Sequence, residues 1–239
     1  MSDFSEVSWD KDGLNGGGGF KPLIIIILII VLFLLYRVGA FDKVISMIPN
    51  NSSSSVYTVE VNRRANYNTQ IKKIVKQLCP TNDSNLRKAQ VLHDFVVKYL
   101  EYDYSALTNI NNTKLIHANE AETCFLTRKA VCGGYAALYK DLCNEAGIKC
   151  EFVTGKANMF DNSNLGHAWN AVYLDGKCYH VDVCWDDTGG SEYEFFMRGT
   201  NYINVNTDTF RSWDGNFPFE KSGISRRKIK DITLQLTVK

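Results

Sequence analysis

The chain has 239 residues, of which 45% are apolar and 12% aromatic, enough to bury a full core without disulfide staples. Its formal charge is +1, and its basic residues cluster only at Arg226, Arg227, Lys228 and Lys230, so no nucleic-acid partner is expected. Seven cysteines, with no Cys-x-x-Cys pair, leave at least one thiol free. Residues 1–21 mix Asp3, Glu6, Asp10 and Asp12 with the run Gly16 to Gly19. Such a composition cannot pack, and it predicts a disordered tail. Pro22 to Tyr36 then carries no charge, and the apolar character continues past Arg37 to Phe41. Residues 22–41 therefore predict one transmembrane helix that anchors the chain in a lipid bilayer, with Lys21 and Arg37 snorkelling at its ends. Val38-Gly39-Ala40 has the look of a signal-peptide cleavage site, but the acidic leader argues against one. Lys11 and Lys21 balance Arg37 and Lys43. Orientation then rests on the tendency of a lone N-terminal anchor to export the chain beyond it, which places the C-terminal domain outside the cytoplasm. Residues 42–55, ending in Asn50-Asn51-Ser52-Ser53-Ser54-Ser55, form a polar linker, and residues 56–239 form the folded domain.

Within that domain Val56 to Val61 predicts a short strand. Tyr67, Ile71, Ile74, Val75 and Leu78 mark one face of a helix that stops before Pro80. A second helix starts at Asp83 or Ser84 and turns Leu92, Phe95, Val96 and Tyr99 to the core. His93 beside that face and His117 in a polar loop read as structural or solvated histidines rather than functional ones. The next helix is different. Tyr135, Leu138, Tyr139, Leu142 and Ala146 keep helical spacing up to Gly147, which puts Cys132 in the first turn. There the unpaired backbone N–H groups and the positive dipole end favour a thiolate. Gly133 and Gly134 come at once after it, each costing on the order of 1 kcal/mol in a helix relative to alanine. A local rule broken there implies that something approaches the backbone closely.

A nucleophile needs a base. Ile148 to Thr154 predicts a strand, a polar loop extends to Asn164, and two β-rich runs, His167 to Leu174 and Lys177 to Trp185, are separated only by Asp175-Gly176. That dipeptide signals a two-residue type I′ hairpin, which fixes the register. Pairing Leu174 with Lys177 places Asp182 opposite Trp169 and Cys184 opposite His167. His167 and Asp182 become diagonal neighbours on one face, with Cβ atoms under about 7–8 Å apart. A one-residue slip would separate them. A thiol, an imidazole and a carboxylate so arranged suit thiol chemistry: the carboxylate orients the imidazole, and the imidazolium stabilises the thiolate.

The run Ala130 to Ala136, the segment Gly166-His167-Ala168-Trp169-Asn170, and Tyr179-His180-Val181-Asp182 with Trp185 resemble the three motif blocks of the transglutaminase-like superfamily, of the bacterial membrane-anchored type. Val91 to Tyr104 is similar to the helix that precedes the catalytic block in bacterial members. The resemblance runs from about residue 86 to 219 and is weak after Asp187. It implies an α+β fold with a papain-like, transglutaminase-like core, in which the catalytic Cys sits at a helix N-terminus packed on an antiparallel sheet. It also implies Cys132 as nucleophile, His167 as general base and acid, and Asp182 as orienter. Family members often have Asp-Pro-Thr-Trp where this chain has Asp182-Val183-Cys184-Trp185, a change that alters strand geometry and keeps the carboxylate. The implied activity is cysteine-dependent acyl transfer on peptide or protein carboxamides through a thioester, to water or to an amine, without cofactor or metal.

Other readings of the same residues stay open. Cys178, His180 and Cys184 share the predicted face of His167 and Asp182 and could ligate zinc. Cys178 with Cys184, or Cys143 with Cys150, could form disulfides outside the cell. Trp169 could line the acyl pocket or belong to the core. The Cys132 backbone N–H is the one oxyanion donor that can be named. A catalytically inactive, membrane-tethered binding module on the same fold is the functional alternative.

Overall fold

In the computed structural model, residues 55–107, 113–159, 165–189, 193–205, 209–230 and 234–239 are described. The tail 1–21, the apolar run 22–41 and nearly all of the linker lie outside these residues. Among the described residues no helix is long and apolar enough to cross a membrane.

Strand β1 (Ser55–Val59) leads into helices α1 (Tyr67–Leu78) and α2 (Asn85–Tyr99). Both helices start at side-chain caps, since Asn66 accepts from the Thr69 N–H at 3.2 Å and Ser84 from the Arg87 N–H at 3.3 Å. Both bury the apolar faces that their spacing predicted. Short elements come next: β2 (Glu101–Tyr102), α3 (Tyr104–Leu107), α4 (Thr113–His117), α5 (Ala121–Thr127) and β3 (Lys129–Ala130). Strands β2 and β3 pair in parallel, Glu101 with Lys129 and Tyr102 with Ala130.

Helix α6 (Cys132–Glu145) is the centre of the packing. It buries Tyr135, Leu138, Tyr139, Leu142 and Cys143, and it meets α1, α2, α5 and two strands of the main sheet. Hydrogen bonds fix it against its neighbours: the Tyr67 hydroxyl reaches the Asp141 carboxylate at 2.8 Å, and the Tyr139 hydroxyl the Ala89 carbonyl at 3.1 Å. Burying one such leucine contributes roughly 1.5–3 kcal/mol, so this face holds the helix in place far more firmly than its weak glycine start.

The main sheet contains β4 (Cys150–Met159), β5 (Leu165–Leu174), β6 (Lys177–Val181) and β7 (Thr209–Trp213). Its order is β6-β5-β4-β7, antiparallel throughout. The hairpin has the predicted register, with Leu174 facing Lys177 and Asn170 facing Val181. Its turn residues Asp175 and Gly176 have φ of 52° and 78°, as a type I′ turn requires. Two expectations change. Strand β4 runs on to Met159 instead of giving way to a loop after Thr154, because β7 pairs with Gly155–Met159. Backbone closeness explains the glycine: a Cβ on Gly155 would lie 2.8 Å from the Trp213 Cα.

The second run does not stay extended to Trp185. It ends at Val181, and Val183–Thr188 form helix α7 with Asp182 as its N-cap. The cap bond, from the Trp185 N–H to Asp182 Oδ1 at 3.0 Å, wins over the β-favouring alternation of Val183 and Trp185. Helix α8 (Thr200–Val205) precedes β7, and α9 (Arg226–Lys230) precedes β8 (Leu234–Val238), which returns to pair in parallel with β1. The architecture is mixed α and β, with the cysteine-bearing helix packed on an antiparallel sheet.

Candidate active site

Cys132 is the first residue of α6, and its cap residue Val131 makes no side-chain bond to the helix. The Gly134 N–H already donates to the Val131 carbonyl at 2.9 Å, which leaves the Cys132 and Gly133 amides of the first turn to stabilise negative charge on the sulfur. The glycine pair has its explanation in the chain itself. A Cβ on Gly133 would run into the Asn119 carboxamide, and one on Gly134 would lie 2.5 Å from the Ala118 carbonyl. The close approach expected from the sequence is thus made by the turn between α4 and α5. That turn also fixes the residue before the cysteine, because the Val131 N–H donates to the Ala118 carbonyl at 3.0 Å.

His167 lies on β5, which is tied to α6 by Asn170, whose side-chain amide donates to the Ala136 carbonyl at 2.9 Å. The structure brings the three sequence-predicted residues together. His167 Nε2 sits 2.7 Å from Asp182 Oδ2, and the Cys132 thiol lies within electrostatic reach of the His167 ring and the Ala168 backbone. With Nε2 engaged by Asp182, Nδ1 is the nitrogen left for sulfur. The Asp182 carboxylate divides its two oxygens, Oδ1 capping α7 and Oδ2 holding the imidazole. The contact predicted from strand register is thereby made by a residue that has already left the strand.

These contacts set the electrostatics. Burial pulls the His167 imidazole down, but the Asp182 charge and hydrogen bond, with the Cys132 thiol, outweigh it and push it up to about 9. Burial raises the Cys132 thiol, yet the bond and charge of His167 and the Ala168 backbone bond leave it below the ordinary thiol value. Burial instead pushes Cys79 and Cys124 up to about 12 and Cys178 to about 11, and it raises Cys150 as well. The histidine is covered by aromatic rings, with Trp185 stacked at 4.6 Å and Trp169 at 5.8 Å between centroids. Such faces favour an imidazolium.

The remaining expectations divide. Trp169 belongs to the core at 1% exposure and donates its indole N–H to His180 Nδ1 at 3.0 Å. All seven cysteines are free thiols, so neither disulfide is formed. The zinc arrangement is not assembled: among the described residues no three or more His, Cys, Asp or Glu side chains are grouped to hold a metal ion. Cys184 is drawn off the expected strand face because it lies in α7, while His180 stacks on Phe219. His93 is buried between Asp94 and Asp186, and His117 is exposed beside Glu120. Sequence reasoning passed over the ties that hold α7. Asp186 binds His93 Nε2 at 2.9 Å, and Asp187 accepts from the Tyr135 hydroxyl at 2.6 Å. The available signal was the run of acids after a capping aspartate, with Tyr135 one helical turn beyond Cys132.

Residues 72–183 match the family model of the transglutaminase-like superfamily. The kyphoscoliosis peptidases of Mus musculus and Homo sapiens are 29% and 28% identical to this chain over 139 and 136 residues, which cover 54% and 52% of it. The chain spans about a fifth of the length of these relatives. A crystal structure of a TGase superposes with a TM-score of 0.45 at 16% identity, covering 82% of this chain and 51% of that one. The matched segment contains the cysteine, the histidine and the aspartate, and residues 72–183 are those of a transglutaminase-like superfamily domain.

Proposed function

We propose that the protein is a cysteine-dependent acyl-transfer enzyme acting on peptide or protein carboxamides, with Cys132 as nucleophile, His167 as base and acid, and Asp182 as orienter. The His167 ring held by Asp182 at 2.7 Å, with the Cys132 thiol at the start of α6 coupled to it electrostatically, supports this reading. Cys132 Sγ bonds to the carbonyl carbon, the C–N bond breaks, and the leaving amine or ammonia takes the proton from His167. Water or a primary amine then gives a proton to His167, attacks the thioester carbon and releases the thiol. The Cys132 backbone N–H, at the start of α6, is the donor that would meet the oxyanion. The choice between hydrolase and transferase lies with the second nucleophile.

The uncharged run Pro22 to Tyr36 supports a membrane anchor over residues 22–41, with the enzymatic domain outside the cytoplasm. The test uses the full chain in detergent, incubated with a glutamine-containing peptide and a primary amine and monitored by product mass. Amine incorporation, deamidation and chain cleavage give distinct masses, and Cys132→Ala abolishes whichever occurs. Product formation by Cys132→Ala would remove the proposed nucleophile. Absence of every product from the wild-type chain would favour a tethered binding module.

A further inference from the structure

Next to His167 the surface opens into a cavity of about 450 Å³, within the ~300–1,000 Å³ typical of ligand sites. Tyr102, Tyr104 and Leu107, from β2 and α3, make one wall. Trp185 and Thr188, from α7, line the other. Among the described residues no lysine, arginine, aspartate or glutamate lines it, although these types make up 22% of the chain. Its outer rim is uncharged and open to solvent: Tyr104 is 68% and Leu107 45% exposed. The Tyr102 and Tyr104 rings lie 4.8 Å apart at 59°, an arrangement that offers both a ring face and a ring edge to a guest. Exposed apolar surface beside a reactive group is the usual mark of a recognition site.

We infer that this cavity is the subsite for the substrate side chain adjacent to the reacting carbonyl, and that it takes an uncharged aromatic or branched aliphatic side chain. The inference rests on the proposed role of Cys132 and His167, since proximity to that ring makes the cavity part of a substrate path. Charge decides the class of guest. An acidic side chain would find no cation in the described walls, and it would have to compete with Asp182 for His167. A basic side chain would find aromatic faces, but Trp185 already stacks on the His167 ring, which carries positive charge whenever it holds the thiol's proton. A neutral aromatic or aliphatic group meets neither penalty and covers Tyr104 and Leu107.

The test is alkylation of the full chain by N-benzyl, N-isobutyl, N-carboxymethyl and N-(2-aminoethyl) iodoacetamide. The rate at Cys132 is read by peptide mapping, and each rate is divided by that reagent's rate with glutathione. The benzyl and isobutyl reagents are expected to react at least about tenfold faster, so normalised, than the two charged ones. In Tyr104→Ser/Leu107→Ser, two exposed positions whose change does not touch the core, that ratio falls to about threefold or less. Equal normalised rates across the four reagents, or a preference undiminished in the double variant, would overturn the inference and leave the nucleophile assignment standing. If unsubstituted iodoacetamide labels Cys132 no faster than the other six cysteines, the nucleophile assignment fails and the subsite with it.

Discussion

Helix α7 is flanked by two buried histidine–aspartate pairs built from the same parts. His167 binds Asp182 through Nε2 at 2.7 Å, and His93 binds Asp186 through Nε2 at 2.9 Å. Both imidazoles are pulled down by burial and pushed up further by their carboxylate partners, to about 9. They differ at the second ring nitrogen. In His93 it faces Asp94 at 3.1 Å, and Tyr139, Tyr193 and Phe196 pack around the ring. In His167 it is left for a thiol at a helix start. An imidazole–carboxylate pair is therefore not a site by itself. Enclosed by a second carboxylate and aromatic rings it is a brace, and such a pair can serve as a base, the role proposed for His167, only where a third group can exchange a proton with it.

The largest expected effects test the proposed catalytic pair, His167 and Asp182. His167→Ala should lower acyl-transfer turnover by roughly 10²–10⁴-fold. It should also move the pH midpoint of iodoacetamide labelling at Cys132 upward, towards the ordinary thiol range, because the imidazolium that lowers it is gone. Asp182→Asn keeps a side chain of the same shape and removes the charge that keeps His167 protonated; this outweighs the direct repulsion of Asp182 on the thiolate, so labelling shifts in the same direction by a smaller amount, with turnover reduced. A labelling midpoint unmoved by either variant would break the contrast between the two pairs. The bracing pair should behave in the opposite way. His93→Gln leaves Asp186 buried without its partner and should cost about 3–5 kcal/mol of stability by denaturant unfolding, while the Cys132 labelling midpoint of the folded protein stays in place.

A pH-dependent difference sharpens the comparison further. A histidine whose folded value of about 9 exceeds its unfolded value near 6.5 stabilises the fold fully below pH ~6.5, and that contribution is lost as pH rises to about 9. Thermal melting should therefore decline over that interval, and the decline should be shallower in His93→Gln. The smallest effect is expected from Tyr135→Phe. It removes one hydroxyl that donates to Asp187 at 2.6 Å and should cost about 1–3 kcal/mol, read as a lower denaturation midpoint.

The His167–Asp182 pair was more legible in the sequence than the His93–Asp186 pair, for physical reasons. Asp175-Gly176 permits one tight turn, and that turn sets the hairpin register from Leu174–Lys177 to Asn170–Val181 without help from distant residues. Cys132 could be placed because helical spacing and Gly147, at φ 78°, bound α6 on one side. The Asp182 cap was obscured because Val183, Cys184 and Trp185 also suit a strand, and only the cap bond and the tertiary ties of Asp186 and Asp187 decide for helix. His93 gave no signal of its own, since Asp186 lies 93 residues away. Separation in sequence likewise hides the pairing of β1 with β8 and of β4 with β7: strands recognise each other through backbone groups, which every residue carries.

Asp182 both ends the hairpin and begins α7, and Trp185, one turn later, forms part of the cavity wall. Any change that tilted or repacked α7 to reshape that cavity would drag the carboxylate partner of His167 along with it. The opposite wall, Tyr104 and Leu107, stands on α3 and is free of that coupling, so it can be reshaped without moving Asp182.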